Sequence, residues 1–240
     1  TWGTYKIIID SNGLNYQGEA DTYTVEYDTD GETLNIVYVD ATQGWIPLND
    51  DDVTDAPVAP VTQKAIFAYG YTTGNVSMSN LVNSSGVVAS DVTGVGTARS
   101  ALGAASYGTD KAIFAYGYTS GYVSMSNLVN SSGVIASDVT GVGTARGYIK
   151  AAGYGTDKAI FAYGYTGSNV SLSNLVSNSG VIASDVTGVG TARRNFGAAG
   201  YGTDKAIFAY GYAGSDVSMS NLVSSSGVVA TDVTGVGTAR

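Results

Sequence analysis

Residues 111–118 read Lys-Ala-Ile-Phe-Ala-Tyr-Gly-Tyr, and this stretch decides the fold. The same eight residues, KAIFAYGY, begin again at Lys64, Lys158 and Lys205, so the period is 47 residues. Each copy continues for 36 residues to a GVGTAR ending, and 27 of the 36 positions are identical in all four copies. Joints of 11 residues lie between the copies. A fixed period of this length indicates one small folding unit repeated in tandem.

The repeated stretch is apolar on both faces, which is typical of a strand that is covered on both sides. In the second copy Ile113 and Ala115 are expected to face one way, and Phe114 and Tyr116 the other. We therefore expect both Ile113 and Phe114 to be buried, each against a neighbouring unit. Two-sided burial favours units that pack face to face.

Each unit predicts four short antiparallel strands, because turn residues interrupt the apolar segments and no helical period occurs. In the second copy they are expected at 104–107, 111–118, 123–129 and 134–139. The chain is therefore predicted to be all-β, with a β-propeller of four-stranded blades formed by the repeats 64–110, 111–157, 158–204 and 205–240. A β-solenoid, in which each unit forms one or two coils, is the alternative.

The repeats resemble the kelch type of propeller repeat. The shared features are an Arg that opens each blade (Arg99), a first strand of small residues, and a hydrophobic second strand that ends in an aromatic residue and glycine (Tyr116-Gly117). The chain departs from that pattern in having Gly117-Tyr118 in place of a Gly-Gly pair, and no Trp on the fourth strand. The resemblance implies a kelch-like propeller over residues 64–240.

A second resemblance involves the amino-acid sequence of the repeats and of the segment before them. Near-identical units that begin YGTDKAIF, behind a small β-module that ends GWIPLNDDD, resemble virion surface and fibre proteins of tailed bacteriophages. That resemblance implies a location on a virion surface or outside the cell, and a role in attachment. It also implies contacts with other virion or filament proteins through the N-terminal module.

The segment before the repeats differs from them in charge and composition. Residues 1–52 hold eleven acidic residues against Lys6 alone, and these account for almost all of the net charge of −9. Alternating segments predict a small acidic β-domain over residues 1–49, with Trp2 and Trp45 in its core. Residues 50–63, with three consecutive Asp and two Pro, predict an exposed linker.

The number of joints predicts that the first unit lacks a partner strand. Four units have only three joints between them, and residues 53–63 contain prolines that suit a central strand poorly. We therefore expect either that a ring of four blades recruits this stretch or that further blades follow Arg240.

Composition excludes several classes of function. The chain has no Cys and no His, so disulfides and metal or nucleophilic sites that use these residues are absent. The sequence has no stripe of basic residues of the kind that indicates nucleic-acid binding. No apolar run reaches the roughly 18 residues that a membrane-spanning helix needs. Acidic residues in the repeats occupy equivalent turn positions, as structural residues do, so we expect no catalysis and no cofactor.

Variation between the copies is concentrated in two segments. One follows KAIFAYGY directly, and the other forms the first four residues of each joint. Because strand direction reverses at each turn, both are expected on one face of the array. The candidate ligand-binding residues on this face are Asn75, Tyr122, Asn169, Asp216, Tyr148, Lys150, Arg194 and Phe196. Drift in exposed loops is the alternative explanation.

Other repeated residues are expected to be structural. Tyr69 and Tyr71 could stack on sugars, but strand tyrosines favour core positions. Arg99 and Asp110 favour ion pairs between blades or turn caps over a ligand anchor. The sequence thus predicts a non-enzymatic virion or extracellular surface protein whose variable loops bind a host receptor or glycan. A soluble lectin-like propeller and a purely architectural repeat are the alternatives, and a homo-oligomer is compatible with each.

Overall fold

A computed structural model describes residues 6–21, 25–27, 34–48 and 65–240. Within these ranges every regular element is a β-strand, and the strands form several small antiparallel sheets, none of which closes. The described part contains no helix long and apolar enough to cross a membrane. The chain divides into two compact units, residues 1–63 and 64–240. The predicted all-β class is therefore confirmed.

The N-terminal unit contains two small sheets. Strand β1 (Ile7–Ile9) pairs with β2 (Val25–Tyr27), and β3 (Ile36–Asp40) pairs with β4 (Gly44–Pro47). Its core is formed by Tyr16, Val25 and Tyr27, with Trp45 partly buried against it. The hydroxyl groups of Tyr16 and Tyr27 hydrogen-bond to each other. The predicted linker at 50–63, the stretch 53–63 and Trp2 all lie outside the described residues.

The repeats form four sheets, numbered here in chain order. Sheet 1 contains β5 (Ala65–Tyr71) and β6 (Asn75–Val82). Each later sheet has three strands. In order these are the joint strand, formed by the joint between two copies, the KAIF strand, which begins with Lys-Ala-Ile-Phe, and the outer strand, which follows the variable loop. Sheet 2 contains β7 (Gly103–Tyr107), β8 (Lys111–Tyr118) and β9 (Tyr122–Val129). Sheet 3 contains β10 (Lys150–Tyr154), β11 (Lys158–Ala162) and β12 (Ser173–Val176). Sheet 4 contains β13 (Gly197–Tyr201), β14 (Lys205–Ala209) and β15 (Ser220–Val223).

The predicted fourth strand is not a regular strand. In sheet 2 the segment after β9 pairs with it only at two isolated bridges, Val129 with Ile135 and Ser126 with Val139. Between the bridges, the Asn127 side chain donates hydrogen bonds to the Ala136 carbonyl, at 3.0 Å, and to Asp138, at 2.9 Å. The side-chain amide thus takes the place of ladder hydrogen bonds, and this explains why the outer segment is irregular.

A bulge in the KAIF strand corrects the predicted facing of its side chains. Tyr116 has a φ of 64°, and the register of β8 against β9 shifts between Ala115 and Gly117. Tyr116 consequently joins Ile113 and Ala115 in one core cluster, whereas Phe114 packs in another. The equivalent tyrosines 69, 163 and 210 also have positive φ values. A bulky residue rarely adopts this conformation, so the repeat maintains a local strain that turns this ring toward the next sheet.

Successive sheets pack face to face through these side chains. Ile113 is fully buried and Phe114 is 4% exposed, as the sequence predicted. The Tyr69 ring of sheet 1 meets the Phe114 ring of sheet 2 edge to face at 5.5 Å, and Tyr116 meets Phe161 of sheet 3 in the same way at 5.4 Å. The core therefore lies between neighbouring sheets rather than within any one of them.

A buried arginine joins each pair of neighbouring sheets. Arg99 stacks on Tyr69 of sheet 1, with the guanidinium carbon 4.2 Å from the ring centroid. It also donates to the Tyr116 carbonyl of sheet 2, at 2.9 Å, and to Asn127, at 2.6 Å. Its carboxylate neighbour is Asp138, at 3.9 Å, whereas Asp110 pairs with Lys111. Arg146 and Arg193 occupy the same place at the next two junctions, and all three arginines are fully buried.

Candidate functional site

The variable loops lie along one edge of the stacked sheets. In sheets 2 to 4 the first residue of the joint bridges to the second tyrosine of the KAIFAYGY stretch that follows, which ends β8 in sheet 2 and lies three residues beyond the ends of β11 and β14 in sheets 3 and 4. These bridges join Ser100 with Tyr118, Gly147 with Tyr165, and Arg194 with Tyr212. The strand register thus brings the two variable segments of the repeat to the same edge.

A continuous group of aromatic rings occupies this edge, and we call it the tyrosine row. Its members are Tyr118, Tyr122, Tyr148, Tyr165 and Tyr212, together with Arg194. Ring centroids lie 5.3 Å apart for Tyr118 and Tyr122, 5.9 Å for Tyr122 and Tyr165, and 6.4 Å for Tyr148 and Tyr165. All three pairs meet edge to face, the geometry that aromatic rings favour.

Arg194 extends the tyrosine row to sheet 4. Its guanidinium carbon lies 4.3 Å from the Tyr165 ring centroid and 5.0 Å from that of Tyr212. The arginine also donates a hydrogen bond of 3.3 Å to the Asn169 side chain. A cation that is shared by two rings and an amide is held in one place, so the edge presents a fixed positive charge beside the phenol rings.

Within the tyrosine row, the Tyr122 hydroxyl has a raised pKa and is protonated at neutral pH. Burial raises the pKa of Tyr122 above its ordinary value of 10.0, and the neighbouring tyrosines 148, 165 and 118 raise it further. The charge of Arg194 acts in the opposite direction but does not outweigh them. A neutral phenol can both donate and accept a hydrogen bond, which suits contacts with ligand hydroxyl groups.

Two of the predicted site residues hold neighbouring repeats together. The Asn75 amide donates to the carbonyls of Tyr118 and Thr119 in the next repeat, at 3.2 and 3.1 Å. Asn169 donates to the Tyr212 carbonyl at 3.1 Å. Asp216, the equivalent residue of the last repeat, is exposed. In this column of residues, Asn75 and Asn169 therefore have a structural role at the junctions.

The variable positions are matched to each other across the junctions. Where this column carries Tyr122, the first joint residue is Gly147, and a Cβ there would lie 3.2 Å from the Tyr122 ring. Where the column carries Asn169, the first joint residue is Arg194, which donates to it. The two residues that meet at each of these junctions are thus matched to each other. Part of the sequence variation between copies therefore reflects packing between repeats.

Two of the predicted site residues lie apart from the tyrosine row. Phe196 is 3% exposed and packs in the core, with ring centroids 5.4 Å from Tyr163 and 5.8 Å from Phe208. It lies immediately before β13, between exposed residues, and its ring faces the neighbouring sheet. Lys150 begins β10 and is exposed, and no described contact joins it to the row.

Sequence reasoning missed the invariant members of the row. The first tyrosine of AYGY is a core residue at Tyr69, Tyr116 and Tyr163, as predicted, but the second is not. Tyr71 is 68% exposed and Tyr118 is 39% exposed, because the bulge at the first tyrosine leaves the second at the open end of the strand. Their identity in all four copies gave no sign of exposure. The signal available was their position next to the variable loop.

Neither a search for metal-binding groups nor a comparison with known proteins assigns a function to this edge. Among the described residues, no group of three or more His, Cys, Asp or Glu side chains could hold a metal ion. A scan against models of protein families finds no match to this chain, and a search of curated proteins finds none either. The function must therefore be argued from the geometry of the edge.

Proposed function

We propose that this chain is a non-enzymatic attachment protein, and that the tyrosine row binds a glycan or a glycosylated receptor. The proposal depends on one observation, the continuous set of partly exposed phenol rings with Arg194 among them. A tyrosine presents an apolar face and a polar tip at low cost in side-chain entropy. Sugars present the complementary combination, since their C–H faces are apolar and their edges carry hydroxyl groups.

The repeats are proposed to be the blades of a kelch-like propeller. Supporting this, the joint strands β7, β10 and β13 lie next to each other, and their turns are linked by hydrogen bonds of 2.7 Å from Gly108 to Asp157 and from Gly155 to Asp204. A cavity of about 220 Å³ is lined by residues of all three joint strands and their turns. Inner strands that surround one cavity are typical of blades around a common axis. Electron micrographs that show a linear stack would contradict this arrangement.

A glycan array tests the binding proposal, with two tyrosine variants that are matched for exposure. Tyr148 is 43% exposed in the row, whereas Tyr201 is 39% exposed at the end of β13, at the opposite edge. Tyr148→Ala should weaken binding of whichever glycan the array identifies by about tenfold or more, in line with the loss of an aromatic anchor. Tyr201→Ala should bind as the wild type does.

Two results of these experiments would contradict the proposal. Equal loss of binding in both variants would place the ligand elsewhere. Release of reducing sugar from the bound glycan would show an enzyme instead of an attachment protein.

The location of the protein on a virion or another extracellular surface is part of the same proposal, with the acidic N-terminal unit as the attachment to other proteins of the particle. Antibodies raised against the repeats should label intact particles. Labelling only after the particles are disrupted would contradict a surface location.

A purely architectural repeat is the second candidate function. It is favoured by the contacts that the variable residues make across the junctions, above all Asn75 and Asn169 with the following repeat. Under this alternative, the protein binds no glycan on the array and no member of a panel of receptor proteins. Tyr148→Ala then changes neither binding nor assembly, while Asn169→Ala lowers stability.

A further inference from the structure

Most hydrogen-bond donors of the arginine in the tyrosine row have no acceptor within the described protein. The Arg194 guanidinium donates there to a single acceptor, the Asn169 side chain, at 3.3 Å. Arg99, by contrast, donates to protein acceptors through all three of its nitrogen atoms. The Nε and Nη2 atoms of Arg194 are not fully buried, and the residue as a whole is partly exposed. These donors are therefore open to a ligand.

The charge of Arg194 has no carboxylate partner among the described residues. The buried Arg146, by contrast, lies 3.7 Å from Asp185. Asp216 is the one acidic residue in the variable segments of the repeats, and it occupies the position of Asn169 one repeat further along. In a chain with a net charge of −9, the edge thus carries an unpaired positive charge.

Packing between repeats does not account for this charge. The first joint residue is Ser100 in the first joint, Gly147 in the second and Arg194 in the third. In all three joints it bridges to the second tyrosine of the following repeat, so the backbone contact is the same with each residue. Ser100 follows a repeat with Asn75 in the loop, so an asparagine there does not require an arginine beside it.

Tyr165 connects the cation to the most exposed ring of the row. The Arg194 guanidinium carbon lies 4.3 Å from the Tyr165 ring centroid, and the Tyr148 ring centroid lies 6.4 Å from that same centroid. Tyr148 is 43% exposed. A sugar that packs on Tyr148 therefore has a guanidinium one side chain away. A neutral sugar can use the ring alone, whereas a sugar with a carboxylate or sulfate group can use both contacts.

We propose that the ligand of the tyrosine row is an acidic glycan, and that Arg194 binds its carboxylate or sulfate group. This inference rests on the proposed glycan binding and adds the charge class of the sugar and the residue that selects it. A guanidinium presents paired N–H groups that match the oxygen atoms of such anions. Hydrogen bonds between charged groups are roughly twice as strong as neutral ones, so the charge should dominate the choice between otherwise identical sugars.

An array of matched glycans tests the inference. Each acidic glycan is printed beside its neutral counterpart, which is obtained by reducing the carboxylate or removing the sulfate. The wild type should bind the acidic member about ten- to a hundredfold more tightly, as expected for charged hydrogen bonds. Added salt should reduce this preference, because it screens exposed charges. The carboxylated and sulfated pairs distinguish the two possible acidic groups.

Three variants assign the preference to Arg194. Arg194→Ser introduces the residue of the first joint, so it should fold, and it should bind acidic and neutral members equally. Arg194→Lys keeps the charge without the planar set of donors and should retain part of the preference. Lys111→Gln is the matched control, because it also removes one exposed positive charge but lies at the other end of β8; it should keep the full preference. Far-ultraviolet circular dichroism checks that the strand content of each variant is unchanged.

The possible failures of this inference and of the proposed function can be told apart. Equal binding of acidic and neutral members by the wild type, still weakened by Tyr148→Ala, would overturn the inference and leave glycan binding by the row in place. A preference that persists in Arg194→Ser, or that Lys111→Gln loses to the same extent, would overturn the role given to Arg194. Binding of no glycan would overturn the proposed function together with the inference.

Discussion

Replacing Arg146 by alanine tests whether the buried arginines hold the sheets together. Arg146 donates to the Tyr163 carbonyl at 2.9 Å and to the Thr144 carbonyl at 3.0 Å, and it also donates to Asn174. Its guanidinium lies over the Tyr116 ring at 4.4 Å and 3.7 Å from Asp185. The side chain is fully buried, so none of these partners would regain a full set of contacts from water without rearrangement.

The expected loss can be worked out from these contacts. Removing one partner of a buried ion pair costs about 3–5 kcal/mol, since the other groups stay buried without it. The Asp185 side chain is 26% exposed and can be hydrated, which places Arg146→Ala at the lower end, about 3 kcal/mol. With a denaturant slope of about 1–3 kcal/mol per molar urea, the unfolding midpoint should fall by about 1–3 M. Arg146→Lys keeps the charge but not the planar set of donors, so we expect an intermediate loss.

Arg240→Ala is the matched control, because Arg240 has the same sequence context and the same tyrosine but is exposed. Its free energy of unfolding should change by no more than about 0.5 kcal/mol, as is usual for surface substitutions. Both variants are measured by urea denaturation in dilute protein, so that self-association does not contribute. If Arg146→Ala and Arg240→Ala were equally stable, the role given to the buried arginines would be wrong.

Three further predictions concern pH and glycine. Burial raises the pKa of Asp185, but hydrogen bonds from Thr144 and Asn174, with the Arg146 charge, outweigh it and lower the pKa below 3.8. The stability that this carboxylate contributes is therefore present above about pH 4 and lost as the pH falls through the lowered pKa. When the free energies of unfolding of Asp185→Asn and the wild type are measured against pH, the difference between them should shrink in that range. Burial raises the pKa of Tyr116 to about 12, although Arg146 lowers it in part. Its contribution is present in full below pH 10 and lost as the pH rises toward 12; a tyrosine absorbance titration in which all phenols ionise near pH 10 would contradict this. Gly188→Ala places a Cβ 2.0 Å from the Ser171 Oγ and 2.8 Å from its carbonyl carbon, so it should cost about 1–3 kcal/mol in thermal unfolding, whereas Gly121→Ala, with open space, should not.

The strands and their order could be predicted from the sequence because the period and the turn residues repeat four times. The positions of the KAIF strand, of the joint strand and of the variable loops follow directly from this repetition. Burial of both Ile113 and Phe114 followed from an apolar segment with two covered faces. These features depend on local pattern, which a single sequence displays.

The remaining features depend on contacts between sheets, which the sequence does not display. The bulge at Tyr116 requires a positive φ that tyrosine rarely adopts, so no propensity argument predicts it. Asn127 replaces part of the outer ladder with its side chain, which made a regular fourth strand a wrong prediction. Phe196 was placed with the loops because its segment varies, although its ring is in the core. Variation between repeats can thus reflect a different core contact as well as a different surface.

The most direct test of the account is the reactivity of the five arginines toward phenylglyoxal, located by mass spectrometry in dilute native protein. Sheets joined face to face by stacked arginines predict that Arg99, Arg146 and Arg193 are protected, while Arg240 reacts readily and Arg194, which is partly exposed, reacts at an intermediate rate. Reaction of the three junction arginines as fast as Arg240 would contradict the packing on which the junctions and the tyrosine row both depend.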